Sequence, residues 1–156
     1  MQTQRVNRSD AEKIFQVVHN VSGATATTGL GMRLVGGTGA QAATSTDGIQ
    51  SVLLDSDANM PMLLGVTVED IADDGYGRVQ AWGYCDSILL SAEADKTVGV
   101  VGLSETFLKK GGTAGSFTST QTVQAMSTFA YKYVQVLNTV NISGGLNYAK
   151  GFVRAI

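Results

Sequence analysis

The sequence predicts an all-β chain, a small antiparallel β-barrel or sandwich with long Gly/Ser/Thr loops and an extended N-terminal arm, and three observations carry that expectation. Residues 65–91, GVTVEDIADDGYGRVQAWGYCDSILLS, place two apolar, strand-like runs around Asp73-Asp74-Gly75. An Asp-Gly step between such runs is turn chemistry, because both central residues of a type I′ turn need φ > 0. Short apolar runs recur along the chain with turn residues between them and no long helical pattern. Glycine supplies 19 residues, well above the usual ~7%, and charged residues make up 15%, well below the usual ~25%. Such a composition fits a turn-rich β-protein with much of its surface committed to contacts. The length of 156 residues suits one domain that buries about 68–70% of its unfolded surface and needs no staple.

Residues 1–10 read as a polar, aperiodic arm carrying Arg5 and Arg8, ahead of a single β domain over 11–156. The next segment fits two periods. Ser9 and Glu12 make a capping box and Ile14, Val17, Val18 and Val21 fall at helical spacing, whereas Phe15, Val17, His19 and Val21 alternate as on a strand. β-Branched enrichment and the early Ser22-Gly23 break favour the strand. Thr25–Val35 reads as a second strand interrupted by Gly29 and Gly31, and Gly36–Gly48 as a loop of small residues. Ile49–Leu54 is a short strand, closed by the turn-forming Asp55-Ser56-Asp57-Ala58-Asn59. The sole proline, Pro61, precedes Met62–Asp70, the first arm of the hairpin, and Tyr76–Ser91 is the second. There Tyr76, Arg78, Gln80 and Trp82 share one side of the pleat, and Gly77, Val79, Ala81 and Gly83 the other, with Gly83 placed for a bulge or bend. Val98–Leu103 and Thr106–Leu108 are weaker strands, Gly111–Gln124 is a loop, and Tyr131–Leu137 and Tyr148–Ile156 complete the set.

The chemistry-bearing residues exclude several classes. Net charge is −2 and no basic run is longer than Lys109-Lys110, which disfavours nucleic acid, since phosphate binding needs a clustered positive face. Cys85 and His19 are each the only residue of their type, so neither a disulfide nor a Cys/His zinc site forms within one chain, and no cofactor is expected. No apolar run is long enough to span a bilayer, and MQTQRVNRSDAEK has no apolar h-region, which points to a cytoplasmic product. The Asn-x-Ser triplets at Asn7, Asn20 and Asn141 are then chance matches. Gly37-Thr38-Gly39-Ala40-Gln41-Ala42 fits a loose dinucleotide fingerprint, but its continuation Ala43-Thr44-Ser45-Thr46-Asp47-Gly48 cannot make the amphipathic helix that motif requires.

Glu69, Asp70, Asp73 and Asp74 lack the spacing of a calcium loop and cluster at a turn rather than in a cleft, so they read as a solvated hairpin tip. Cys85 beside Asp86 reads as a small buried strand residue rather than a nucleophile, because a carboxylate neighbour raises a thiol pKa. There is no G-x-S-x-G elbow, and no catalytic residue is assigned. Arg5, Arg8, Lys150 and Arg154 place positive charge at both chain ends, either as solvated termini or as an arm that pairs with an acidic partner. Trp82, Tyr131, Tyr133, Tyr148 and Phe152 fit a core, although Tyr and Trp also favour interfaces.

Three stretches carry a resemblance. LLGVTVEDIADDGYGRVQAWGYC has a rhythm of Gly-Val, acidic turn, then G-x-V-Q-x-x-G; RSDAEKIFQVVHNVSGATATTG opens the domain; GGLNYAKGFVRAI closes the chain. Together they resemble the capsid decoration, or cement, proteins of tailed bacteriophages, while residues 92–130 carry no such likeness. The resemblance implies a non-enzymatic structural protein of the virion, made in the host cytoplasm and bound to the capsid exterior. Its partners would be the major capsid protein and further copies of itself, a trimer being favoured. On that reading Arg5, Arg8, Trp82 and Tyr131 are the expected capsid contacts. A phage tail or baseplate protein remains an alternative, and a small carbohydrate-binding or hydrolase module a further one.

Overall fold

A computed structural model of the chain describes residues 12–35, 48–91, 100–101, 108–110, 113–119, 133–137, 140–141 and 146–155. The segment with two competing periods is a strand, β1 (Ile14–Asn20). Its apolar alternation faces the opposite way from the one the sequence suggests. Val18 and Asn20 are fully buried, while Phe15 and Val17 are 43% and 61% exposed. Val18 points inward because Met32, Ile71 and Val79 supply an apolar interior for it.

β2 (Gly31–Leu34), β3 (Ile49–Leu53), β4 (Leu63–Thr67) and β5 (Tyr76–Ser91) complete a closed five-stranded barrel in the order β1-β3-β2-β4-β5, with β5 pairing back onto β1. The barrel is mixed rather than wholly antiparallel. β3 runs antiparallel to β2 and inserts between β2 and β1, which it meets in parallel. A parallel neighbour needs a crossover instead of a tight turn, so no local pattern announces it. Before β4 the chain makes a 3-10 helix, Asp57–Met62, that holds Pro61 and delays the strand to Leu63.

The remaining strands are β6 (Val100–Val101), β7 (Leu108–Lys110), β8 (Phe117–Ser119), β9 (Val134–Val136), β10 (Val140–Asn141) and β11 (Leu146–Arg154). β5 is 16 residues long and changes neighbours midway: Tyr76–Trp82 pairs with β1, and Trp82–Ser91 with β11, which carries β9 on its far side. β8 lies inside the segment expected to be a loop. Its Phe117 pairs with Leu90 of β5 and is fully buried, so a single aromatic anchors a stretch whose Gly/Ser/Thr content reads as turn.

Two cores result. The barrel interior holds Val18, Ala26, Met32, Ile71 and Val79. A second cluster, with Met60, Val66, Ile88, Leu90, Phe117 and Val153 among its members, joins β4 and the second half of β5 to β8, β9 and β11. Each large side chain fully buried in this way contributes about 1.5–3 kcal/mol relative to exposure.

The hairpin departs from the expected turn. The one non-glycine residue with positive φ among the described residues is Asp74 (58°); Gly75 does not adopt it, and its N–H bonds Ala72 O at 3.0 Å. A two-residue type I′ loop is therefore replaced by an eight-residue connection from Val68 to Gly75. Burial explains the longer path. Ile71, 1% exposed, drops into the barrel and exchanges backbone bonds with Ala26 at 2.8 and 2.9 Å.

Candidate contact surface

Strand register organises the outward side of the sheet where β1, β5 and β11 lie side by side. Ile14 pairs with Trp82, and Trp82 with Arg154, so these side chains form one row across adjacent strands. The next row sets Phe152 opposite Tyr84 on one flank and opposite Gln135 of β9 on the other. Trp82 and Phe152 meet edge to face, with ring centroids 5.3 Å apart and planes at 85°. That arrangement brings the positive rim of one ring to the negative face of the other. The Arg154 guanidinium lies 5.4 Å from the Phe152 ring and the Lys13 ammonium 5.8 Å from the Tyr84 ring. Lys13 also reaches Asp86 at 3.7 Å, whereas Arg154 has no carboxylate partner among the described residues. Burial, followed by the Asp86 carboxylate, raises the Tyr84 hydroxyl above its usual value, so it stays neutral. The surface is thus half-buried aromatic rings with two cations laid over them, and Ile14 is 40% exposed at its edge.

Gly83 positions this surface. Its φ is +102°, and a Cβ there would collide with the carbonyl oxygen of Glu12. Only glycine lets β5 turn beneath the backbone of residues 12–13 while passing from β1 to β11. Ala155 N–H bonds Ala81 O at 2.8 Å, so the first and last described residues both lie against this stretch of β5.

Of the contacts expected from sequence, Trp82 lies on this surface, and Arg5, Arg8 and Tyr131 fall outside the described residues. Ile14 and Tyr84 are not among the expected contacts, Arg154 reads only as terminal charge that is solvated or pairs with an acidic partner, and Phe152 reads chiefly as core. The signal that would find them is the matched spacing of Trp82-x-Tyr84 and Phe152-x-Arg154 on two strands, which means little until the register aligns them.

The acidic group at residues 69–74 is solvent-exposed, as expected of a hairpin tip, and each carboxylate also has a hydrogen-bond partner in the fold. Glu69 receives the Arg78 backbone N–H at 2.9 Å and its guanidinium at 3.2 and 3.3 Å. Asp70 accepts from the Thr28 N–H and hydroxyl at 2.7 and 3.0 Å, and Asp73 from the Gly23 N–H at 2.8 Å. Asp74 meets His19 Nε2 at 2.9 Å, and that ring stacks on Tyr76 at 4.5 Å. These carboxylates tie the long connection to β1 and to the segment after it. The Arg78 guanidinium holds the Glu69 carboxyl below its usual value. Cys85 is 3% exposed, and desolvation is the main cause that pushes its thiol up. Among the described residues no group of three His, Cys, Asp or Glu side chains gathers to hold a metal ion, and no helix is long and apolar enough to cross a membrane.

Comparison with protein-family models, with curated proteins and with solved structures finds no match to this chain.

Proposed function

We propose that the protein is a structural component of a phage virion that binds the outer surface of the capsid and stabilises the assembled head. The observation that carries this reading is the aromatic and cationic surface of Trp82, Phe152 and Arg154. Trp, Tyr and Arg are the residue types that dominate binding energy at protein interfaces, and the polar sequence of residues 1–10, with Arg5 and Arg8, suits a segment that orders on a partner. The partner is the major capsid protein, with further copies of this chain completing a trimer, as the resemblance of its sequence implies. The mechanism is mass action and needs no chemistry. A ligand of the assembled shell that ignores its dissociated parts stabilises the shell by about 2.7 kcal/mol per site when its free concentration is 100-fold above Kd.

Co-sedimentation with undecorated heads tests the reading. Wild-type protein should pellet with heads, and binding should weaken as salt rises if the arginine contacts are solvent-exposed. Deletion of residues 1–10, the pair Arg5→Glu with Arg8→Glu, and the pair Trp82→Ala with Arg154→Glu should each leave most of the protein in the supernatant. Full-strength binding by all three variants would sink the proposal.

A further inference from the structure

Beside the contact surface lies an open cleft of ≈ 270 Å³, lined by Lys13 and Phe15 of the first strand region, Thr67 of β4, and Arg78, Gln80 and Asp86 of β5 among others. We propose that this cleft binds a single pyranose unit of a glycan.

Gln80 is 2% exposed, and its amide nitrogen donates to the backbone oxygens of Trp82 and Tyr84 at 3.2 and 2.8 Å. Those two bonds use both N–H groups and settle which way the carboxamide points. Its Oε1 accepts nothing from the described residues, yet it is not sealed away as Gln16 Oε1 and His19 Nδ1 are. A buried acceptor left open on a cleft calls for a ligand with a hydrogen to give.

The walls narrow the class. Phe15 is 43% exposed and offers an apolar ring, with the Arg78 guanidinium 5.9 Å from its centroid. Arg78 is itself held by Glu69, and Lys13 by Asp86, so both cations arrive with their charge already countered. A free phosphate or other anion would meet the lone pairs of Gln80 Oε1 and little uncompensated positive charge. A pyranose suits these groups. Its C–H face lies on Phe15, its hydroxyl hydrogens reach Gln80 Oε1 and Asp86, and its oxygens accept from Lys13 and Arg78. A cleft of ≈ 270 Å³ has room for one sugar ring. So small a contact implies millimolar affinity. The proposal does not depend on capsid binding, since it is tested on the isolated protein.

The experiment is an NMR titration of ¹⁵N-labelled protein with the methyl glycosides of glucose, galactose and N-acetylglucosamine, and separately with inorganic phosphate and AMP. At least one glycoside should saturably shift the Gln80 side-chain NH₂ signals and the backbone signals of Phe15 and Arg78, and should do so equally at ~0.5 M salt, where charge attraction is screened. Phe15→Ala, a change at an outward-facing side chain, should weaken binding at least tenfold while the spectrum stays that of a folded protein. Gln80→Met should do the same; if it unfolds the chain, Phe15→Ala and the salt series still decide. The proposal is overturned if no glycoside shifts these signals, if shifts fall elsewhere, if Phe15→Ala binds as well as wild type, or if only phosphate or AMP binds and salt abolishes it.

Discussion

Replacing Gly83 with alanine adds one methyl group at the place where β5 changes partners. Two costs then fall together. An L-residue held near φ +102° carries strain of about 1–3 kcal/mol. The new Cβ also strikes the Glu12 carbonyl oxygen and comes within 3.2 Å of Lys13 Cα, both backbone atoms that cannot swing aside as a flexible side chain would. Residues 12–13 must shift, which loosens the Ile14–Trp82 pairing and sacrifices one or two ladder hydrogen bonds at about 0.5–1.5 kcal/mol each. The sum is about 2–6 kcal/mol, or a fall in Tm on the order of 10 °C for a chain of this size. Gly23→Ala is the control, because Gly23 has φ +80° but nothing within 4 Å of its would-be Cβ, so it carries the strain alone. Differential scanning calorimetry of both variants gives the comparison. The chain's single tryptophan adds a local readout. Trp82 emission should move to the red in Gly83→Ala and stay put in Gly23→Ala. Equal Tm losses with unchanged emission in both would refute the close approach of residue 12 to β5.

Asn20→Ala should cost about 2–4 kcal/mol, because the fully buried amide donates to Ala24, Ile71 and Ala72 carbonyls at 2.8, 3.0 and 3.1 Å. Urea unfolding should show a lower midpoint with an unchanged slope, and a midpoint equal to wild type would contradict the tie between residue 20 and the connection at 71–75. Asp55 is held down to about 2, first by the hydrogen bond from Arg33, so its folded pKa lies below its unfolded one. Its stabilisation is therefore present above pH ~4 and lost as pH falls through about 2; with the side chain 52% exposed, solvent screening limits it to ~1 kcal/mol. Asp55→Asn should lose that much at neutral pH and converge on wild type in acid, and parallel pH curves would count against the pair. Cys85 should resist iodoacetamide at pH ~8 in the folded protein and react at once in denaturant, since burial raises its thiol. Rapid native modification would show that the second half of β5 is packed differently.

What was legible from sequence is what depends on near neighbours in the chain. β-Branched residues and the Ser22-Gly23 break favoured a strand in the segment that forms β1, and the alternation after Gly75 separated Gly77, Val79 and Ala81, which are buried, from Tyr76 and Arg78, which are not. Gly83 was legible as a bend for the same reason, since a glycine in a strand has few other uses. Gln80 broke that pattern, because burial of its side chain depends on two carbonyls that the bend brings back toward it.

The tertiary structure decided everything that rests on register and closure. Nothing near residue 49 announces that β3 will slip between β1 and β2, and nothing near Ile71 announces that a residue beside a turn will drop into a barrel. The four carboxylates are exposed as a turn composition suggests, but their partners, at residues 19, 23, 28 and 78, were not legible because they lie up to 55 residues away. Trp82 stands out by type, but Ile14, Phe152 and Arg154 join it only across strand pairs, and Lys13, Phe15, Gln80 and Ser87 meet around one cleft only because β5 bends. Local propensity is written in each residue's own backbone and side chain. A surface belongs to residues that become neighbours after folding, and the choice among possible neighbours is made by which closure buries the two cores with their polar groups bonded.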